Sequence, residues 1–477
     1  VRWSDWGEDY HKGFLDDSAK ESGIKIKWDT MVAADWSDKK SVLVASGDLP
    51  DAFLGSNAFT DSEIAQNQNM FIPLEDLIKD NMPNLNKAFE KEPKLKAMVT
   101  NPDGHIYSLP KKLPMRPIVG NQLFINKKWL DNLGLKMPET YDELVTVLQA
   151  FKDKDANGNG DVNDEIPFGS GNFDPTFSYI LPFNNRLGGD NTYEMSVKDG
   201  KPVYLRTEES YKQGIAAMHE AYKKGLIDPE LFTEDTSMSV AKRMDKGVAR
   251  VGVSSGWTAD ATFGQHASEY APLPALKGPD GKQYVISDPD HLNYGRNEIL
   301  ITNKCKDPAK LLKWLDKFYT DDASIQNFYG SFGIATEKDG AKYKVLAPKD
   351  GKSADEWAWI NSLRDFGPKY VSDDINSHVD IDQTQGDGLK LKMDKELKQY
   401  ALPAYPNVIY SQEELNKLSS IYVDINSYVT QQASKWVVDG GIEEEWDSYL
   451  ANLKNMGLDE FIKIQQDAYD RYQKEVK

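Results

Sequence analysis

Short apolar runs alternate with helix-like stretches along the chain, and this alternation constrains the fold more than any other feature. The segments "GIKIKW" (23–28) and "DAFLG" (51–55) predict strands, and "DKKSVLVASG" (38–47) between them predicts a helix that ends at a glycine. The same strand-then-helix order returns in residues 121–135 and 299–320. Strands that alternate with helices are typical of α/β domains, because the helices cover the faces of the sheet. We therefore predict an α/β fold.

The length of the chain and its C-terminal part extend this prediction. A chain of 477 residues exceeds one core of ordinary size, which favours two domains or a two-lobed body. From residue 411 onward the pattern is mostly helical, and residues 446–472 carry apolar side chains at helical spacing. We expect the aromatic residues of that stretch to pack in the core.

Composition excludes several classes of function. The net charge of -19 argues against nucleic acid as a partner, because binding that polymer requires Lys and Arg to neutralise phosphates. No apolar run approaches the length of about 18 residues that a membrane helix needs. The single cysteine, Cys305, rules out an internal disulfide framework. Val1 is not a start methionine, so we expect that a targeting segment has been removed before it.

The segment "DKDANGNGDVNDEIPFG" (153–169) matches the first half of an EF-hand calcium loop. When Asp155 is counted as position 1, oxygen ligands recur at alternate positions, and Gly160 stands at the sharp turn. Position 12 holds Ile166, so the closing carboxylate must come earlier. The alternative is a polar Asn-Gly turn cluster that holds no metal. The predicted ligands of this structural calcium site are Asp155, Asn157, Asn159, Asp161, Asp164 and Glu165, with Asn163 as a further possibility.

Enzyme signatures are weak. The stretch "GVSSG" (252–256) satisfies the GxSxG pattern of serine hydrolases, but "WTADATFG" after it is a poor start for the helix that a nucleophile elbow requires. The chain has no HExxH, paired CxxC, GxxxxGK[ST] or GxGxxG signature. Its acidic residues are too numerous for the sequence to exclude the carboxylate pair of a glycoside hydrolase.

Several segments together carry a resemblance to a known family. They are, in chain order, "SGDLPDAFLG" (46–55), "FIPLEDLI" (71–78), "PDGHIYSLP" (102–110), "LFINKKWLDNLGLKMPETYDELVTVLQAFKDKDANGNGDVNDEIPF" (123–168), "KGLIDPELF" (224–232) and "WDSYLANLKNMGLDEFIKIQQDAYDRY" (446–472). In this order and at this spacing the chain resembles the extracellular solute-binding proteins of bacterial ABC importers. The resemblance covers nearly the whole chain and points to the oligosaccharide-binding lipoprotein branch, which is similar to alginate-binding proteins.

The resemblance implies a two-lobed, periplasmic-binding-protein-like fold with a hinge and a ligand cleft between the lobes. It divides the chain into 1–118 (lobe 1), 119–297 (lobe 2 with the calcium loop), 298–345 (return to lobe 1) and 346–477 (lobe 2 with the C-terminal helices). It also implies a monomeric, extracellular lipoprotein, anchored at the cell surface, that performs no chemistry. Such a protein delivers an oligosaccharide to membrane permease subunits. Two alternatives remain, namely a binding protein for a non-sugar solute such as a peptide and a secreted glycoside hydrolase.

A glycan cleft needs flat aromatic faces for sugar rings, and amides, carboxylates and Arg for their hydroxyl groups. Trp257 is the first candidate, because it follows a glycine-punctuated strand where this family turns into the cleft. For every candidate, ordinary packing is the alternative. An anionic sugar would require clustered Arg and Lys, whereas aromatics, Asp and Asn dominate the candidate loops, so we expect a neutral oligosaccharide. The other candidates are Trp3, Asp5, Trp6, Asn57 and Trp36 in the first lobe, Tyr294, Arg296, Asn297, Trp357, Trp359 and Phe366 in the second, and Arg116 and Asn121 near the first crossover.

Overall fold

The computed structural model describes residues 1–114, 117–171, 173–187 and 192–476. Most of the regular structure is helical. The helices are α1 (Phe14–Glu21), α2 (Ala33–Ser46), α3 (Asp61–Gln66), α4 (Glu75–Asn81), α5 (Pro83–Lys91), α6 (Pro93–Ala97), α7 (Lys127–Leu133), α8 (Tyr141–Asp153), α9 (Pro175–Ile180), α10 (Glu209–Lys223), α11 (Thr236–Arg243), α12 (Ala259–Phe263), α13 (Pro289–Asn293), α14 (Pro308–Asp316), α15 (Asp321–Tyr329), α16 (Ala354–Asn361), α17 (Gly386–Leu397), α18 (Gln412–Asp439), α19 (Ile442–Asn455) and α20 (Leu458–Val476).

The strands form small, separate sheets. They are β1 (Ala52–Leu54), β2 (Lys111–Lys112), β3 (Gln122–Asn126), β4 (Ile166–Phe168), β5 (Met195–Lys198), β6 (Lys201–Tyr204), β7 (Val251–Gly256), β8 (Tyr270–Pro272), β9 (Tyr294–Gly295), β10 (Ile299–Ile301), β11 (Thr336–Asp339), β12 (Lys342–Val345) and β13 (Val379–Asp380). The largest sheet has the order β4-β7-β3-β8. In it β7 runs parallel to β4 and antiparallel to β3.

Two large hydrophobic clusters define two lobes. The first lobe packs helices α1, α4, α5 and α14 around β10, with Leu74, Leu85 and Phe318 among its fully buried residues. The second lobe packs α8, α10 and the long C-terminal helices α18 to α20 against β3 and β7. Each cluster buries its own apolar surface, as separate cores do.

Within the described ranges, three segments connect the lobes. The chain leaves the first lobe through β2 and returns through β9, which pairs with β2 in the register Lys111 opposite Gly295. It leaves again through α17, whose Met393 and Leu397 pack in a smaller cluster with Phe124 of β3. These crossings make the body two-lobed with a hinge, as predicted.

Residues 354–381, which follow the return segment, pack against the first lobe. Leu363 and Tyr370 lie in the core of the first lobe, and Ile381 packs beside Leu113, so the chain stays with the first lobe until α17. The sequence pattern could not place this boundary, because the contacts that hold residues 354–381 come from helices far away in the chain.

Local predictions were mostly correct. Strand β1, the β3–α7 pair, β7 and the C-terminal helices form where the pattern predicted them. The predicted strand at 23–28 is wrong, since that segment has no ladder and only Arg2 bridges to Val32 nearby. The helical stretch 446–472 is two helices, which Gly457 separates with a φ of 100°. In the part of the chain that the structure describes, no helix is long and apolar enough to cross a membrane.

Candidate functional site

Four of the predicted cleft residues form one aromatic cluster. The rings of Trp6 and Trp359 stack with centroids 4.5 Å apart. Phe366 lies 5.8 Å from Trp359 and 5.4 Å from Trp3. Trp359 and Phe366 are buried, Trp6 is half-buried, and Trp3 is 54% exposed. The cluster therefore presents a wide aromatic face to solvent on a buried aromatic base.

The guanidinium of Arg2 supports this cluster from behind. It lies 5.4 Å from the centre of the Trp6 ring and 4.4 Å from that of Tyr10, and it donates a hydrogen bond to the carbonyl oxygen of Trp359. Burial lowers the pKa of Arg2 to about 10. Sequence reasoning missed this residue, because a single arginine beside a tryptophan carries no periodic signal.

The turn after β1 comes close to the cluster. Gly55 has a φ of 106°, and a Cβ at this position would lie 3.2 Å from the Asn57 amide oxygen and 3.6 Å from Phe366 Cβ. Asn57 therefore lies beside Phe366. Both polar atoms of its amide are buried and have no hydrogen-bond partner among the described residues. Asp5 is exposed nearby in sequence and accepts a hydrogen bond from Gly7 N at 3.0 Å.

Trp257 follows β7 in the second lobe. Its half-buried ring lies 4.2 Å from Nζ of Lys390, which also donates to the carbonyl oxygen of Gly120 beside the half-buried Asn121. Helix α12 begins two residues later with Thr258 as its N-cap, although the sequence of this segment predicts a poor helix start. Thr258 supplies the cap oxygen that the apolar pattern did not reveal.

Ser254, the serine of the GxSxG match, lies inside strand β7 and is fully buried. Its hydroxyl donates to the carbonyl oxygen of Ser170 at 2.6 Å. A nucleophile elbow would instead present its serine on a sharp turn at the end of the strand. The local geometry is therefore that of a structural serine.

Helix α17 joins the two parts of the site. At its N-terminus, Asp387 pairs with Arg364 at 2.9 Å, and the backbone N–H of Gly386 donates to Asp260 of the second lobe at 3.3 Å. One turn later, Lys390 reaches Trp257. Arg364 precedes Phe366 by two residues, so the first turns of α17 contact both the Trp257 loop and the Phe366 loop.

Trp36 lies elsewhere. Its ring is buried in the first lobe against Phe53 and Phe59, with centroids 5.7 and 6.2 Å away. Its indole N–H donates to the carbonyl oxygen of Ala58 at 2.6 Å. The structure thus gives Trp36 a core position, because its helix turns this face inward.

Tyr294, Arg296 and Asn297 lie on the return crossing. The Tyr294 hydroxyl donates to Glu92. Arg296 and Asn297 both bind Asp61, and Arg296 also donates to the carbonyl oxygen of Val408, ahead of α18. Arg296 therefore ties the two lobes together at the hinge. Trp357 is half-buried on α16, and Arg116 lies outside the described residues.

The loop at 153–169 closes on itself through Asp155. Its carboxylate accepts hydrogen bonds from the backbone N–H groups of Gly158, Asn159 and Gly160 at 2.8, 3.0 and 2.9 Å. The side chain of Asp161 turns away to accept the backbone N–H of Asn163. The chain therefore curls around a centre, as oxygen ligands at alternate positions require.

Side-chain oxygens converge from both ends of this loop. The amides of Asn157 and Asn159 donate to the two oxygens of Asp164 at 2.9 and 2.7 Å. Glu165 is buried and accepts the backbone N–H of Ala156 through Oε1, while its Oε2 has no partner within the described chain. Burial raises the pKa of Glu165, and Asp164 beside it adds to the effect.

These residues fit a calcium ion on chemical grounds. Hard divalent cations take carboxylate, amide and carbonyl oxygens, and the buried Glu165 Oε2, which has no partner among the described residues, has the chemistry of such a ligand. Within the ranges that the structure describes, no three His, Cys, Asp or Glu side chains form a metal-binding group by themselves. Amide and carbonyl oxygens would therefore have to complete the ligand set.

The fold and the site define a class of protein. The chain belongs to the bacterial extracellular solute-binding protein family, whose model matches residues 4–325. This confirms the family expected from the sequence.

Particular relatives share most of the chain. The fructooligosaccharide ABC transporter substrate-binding protein FusA of Streptococcus pneumoniae is 34% identical over 95% of this chain and 86% of its own length. The structure of S. pneumoniae FusA in complex with kestose superposes with a TM-score of 0.82 at 32% identity, covering 99% and 98% of the two chains. A FusA EF-hand mutant in complex with fructo-nystose gives 0.81 at 31% identity over 98% of each chain.

An HMO-binding ABC-transporter-associated solute-binding protein from Bifidobacterium longum infantis gives a TM-score of 0.85 at 28% identity over 99% and 98% of the two chains. These structures share the two-lobed fold described above. FusA is a substrate-binding protein and the Bifidobacterium protein is a solute-binding protein.

Proposed function

We propose that this protein is the substrate-binding component of an ABC importer and captures a neutral oligosaccharide between its lobes. The aromatic cluster of Trp3, Trp6, Trp359 and Phe366 carries the proposal, because its outer ring is largely exposed on a rigid, buried base. Solvent-exposed tryptophan faces suit the C–H faces of sugar rings. The known ligand of FusA, kestose, is a neutral oligosaccharide of this kind.

Polar groups beside the cluster would recognise hydroxyl groups. The Asn57 amide has donor and acceptor capacity that no described residue uses, and the Asp5 carboxylate is exposed. Leaving such an amide unpaired costs free energy. A bound sugar hydroxyl would remove that cost, which favours Asn57 as a ligand-binding residue.

The charge distribution favours a neutral ligand. An acidic sugar needs cations that are available for its carboxylates, whereas each cation around the site, in the part of the chain that the structure describes, already binds at least one acceptor. These are Arg2 with the Trp359 carbonyl, Lys111 with Glu298, Arg364 with Asp355 and Asp387, and Lys390 with the Gly120 carbonyl.

Binding would act by closing the lobes. The ligand contacts both Trp257 and the Trp3 cluster only when the lobes are together, so it shifts the equilibrium towards the closed state. We place the boundaries between the lobes at the three crossings. Residues 1–113 and 296–385 then form the first lobe, and the remaining residues form the second. The closed, monomeric complex then presents a surface to the membrane permease, and the sugar leaves the protein chemically unchanged.

The loop at 155–165 would hold a structural calcium ion. Asp155, Asn157, Asn159, the carbonyl of Asp161, Asp164 and Glu165 would supply the oxygens, and the ion would neutralise the Asp164 carboxylate, which faces the amides of Asn157 and Asn159. Its effect is to fix the connection between α8 and β4, which stabilises the fold by mass action. A solved structure of a FusA EF-hand mutant supports the proposal, because it indicates that a relative contains a motif of this type. Extracellular calcium at a millimolar concentration would keep such a site filled. We also propose that the protein lies outside the cell as a lipid-anchored lipoprotein.

The test is a tryptophan-fluorescence titration with kestose, lacto-N-tetraose, trigalacturonate and a tripeptide, followed by chromatography of the ligand. The proposal predicts saturable binding of a neutral glycan that is recovered intact. Cleaved glycan would indicate a hydrolase, and binding of only the tripeptide would indicate a peptide-binding protein. Trp3→Ala should weaken binding, while Val42→Ala, at a residue that is 67% exposed elsewhere on the first lobe, should not.

A further inference from the structure

Three buried charged side chains meet behind Phe366. Glu298 and Lys369 have no exposed surface, and Lys111 is only 7% exposed. Nζ of Lys111 lies 2.6 Å from Oε1 of Glu298. Burial of charges in a core is costly, and replacement by apolar residues is often neutral or stabilising. A structural role alone therefore gives little reason for this group.

The three residues come from three different segments at the hinge. Lys111 belongs to β2, Glu298 directly precedes β10, and Lys369 follows the Phe366 loop. Lys111 bridges to Lys369 in parallel, and the backbone N–H of Lys112 donates to the Lys369 carbonyl at 2.9 Å. The group thus lies where the crossing segments meet the first lobe.

All three side chains bind the backbone of residues 365–367. Lys369 donates to the carbonyl oxygens of Phe366 and Gly367. Glu298 accepts the backbone N–H of Gly367 at 2.7 Å, and Lys111 donates to the carbonyl oxygen of Asp365. The polar backbone groups on both sides of Phe366 are therefore held by charged partners.

We propose that Lys111, Glu298 and Lys369 are positioning residues for the ligand, which hold the 365–367 backbone so that Phe366 supports the exposed, sugar-binding ring of Trp3. This inference rests on the proposed function. The three charged side chains would act by holding the backbone and would not touch the sugar themselves. It also links the aromatic face to the hinge, because the same side chains belong to the crossing segments.

The protonation state of Lys369 offers a way to measure this positioning role. Burial lowers the pKa of Lys369 to about 7; Glu298 and Asp365 oppose that shift, and Lys111 and Arg364 add to it. Burial raises the pKa of Glu298, which Lys111 opposes. The hydroxyl of Tyr319, which also faces Glu298, donates to the carbonyl of Pro110. When Lys369 loses its proton, its bonds to the two carbonyls are no longer charge-assisted and weaken.

Affinity and stability then respond to pH in opposite directions. Glycan affinity falls as pH rises through the pKa of Lys369, because the Phe366 loop is held less firmly. The unfolded chain, with an ordinary lysine pKa of 10.5, binds more protons than the folded one above pH 7, so the free energy of unfolding rises with pH in this window. A lysine with only a structural role would make the free energy of unfolding depend on pH but would leave the glycan affinity unchanged.

The experiment measures the dissociation constant of kestose by calorimetry from about pH 6 to about pH 8, with thermal unfolding at each pH. The wild type should lose about fivefold in affinity across this range, the effect of weakening one charge-assisted hydrogen bond. Lys369→Met should bind more weakly and show no such pH dependence, and Glu298→Gln should reduce the dependence. Arg206→Met is the matched control, because Arg206 is a buried cation paired with Glu194 in the other lobe. It should retain the wild-type profile.

A wild-type affinity that is constant or rises with pH would overturn the inference, as would a wild-type profile in Lys369→Met. The wild-type curve and Glu298→Gln decide the matter if Lys369→Met fails to fold. Binding of none of the tested glycans at any pH is a different outcome, since it overturns the proposed function itself.

Discussion

Trp6 and Trp359 stack with an angle of 14° between their planes, although they lie in distant parts of the sequence. This pair joins the N-terminal segment to helix α16 and makes the base on which Trp3 rests beside Phe366. The predicted division places Trp6 and Trp359 in different lobes, whereas they belong to one surface. The candidate binding face is therefore a product of long-range packing.

Removal of Trp3 should affect binding and leave the fold intact. Trp3→Ala removes an exposed ring that contributes one sugar stack of about 1 kcal/mol, so the kestose dissociation constant should rise about fivefold. The melting temperature should stay within one degree or so of the wild type, since more than half of the side chain is in water. Calorimetry and thermal unfolding check both values, and a large fall in melting temperature would assign Trp3 to the core.

Trp359→Ala should behave differently, because this ring is buried between Trp6 and Phe366. Loss of a buried tryptophan costs about 3–5 kcal/mol of unfolding free energy. Both stability and affinity should therefore fall, as measured by urea unfolding and calorimetry. An unchanged stability would contradict the packing described for this cluster.

Calcium removal should lower stability more than affinity. EDTA should reduce the melting temperature of the wild type, and Glu165→Gln should abolish that response, because the buried carboxylate loses its charge. Asp103→Asn is a suitable control, as it changes a carboxylate in an exposed turn of the first lobe. An equal melting temperature with and without calcium would remove the calcium site from this account.

The hinge pair of Asp61 and Arg296 should be visible in acid unfolding. Burial alone would raise the pKa of Asp61, but Arg296 and Asn297 lower it below its ordinary value of 3.8. The folded state then binds fewer protons than the unfolded one, so this carboxylate contributes stability that is present above pH 4 and lost as pH falls through the folded pKa. Asp61→Asn should be less stable than the wild type at neutral pH, and the difference should shrink in acid. A constant difference across this range would show that the pair contributes nothing through its charge.

Sequence patterns gave the α/β class, the family and most local elements, because apolar periodicity and helix caps are local properties. They also placed Asp155 and its partners in one loop, since the ligands are close in sequence. They did not reveal Arg2, Lys111, Glu298 or Lys369, because isolated charges carry no signal until the fold brings them together. Trp36 and Trp3 look alike in sequence, and only the packing of α2 separates a core ring from an exposed one.

The most direct test of the central claim is hydrogen–deuterium exchange with and without kestose. The account predicts slower exchange on both sides of the cleft, in residues 2–10 and 364–370 of the first lobe and 256–262 of the second. Protection confined to one lobe, or none at saturating kestose, would contradict capture of the glycan between the lobes.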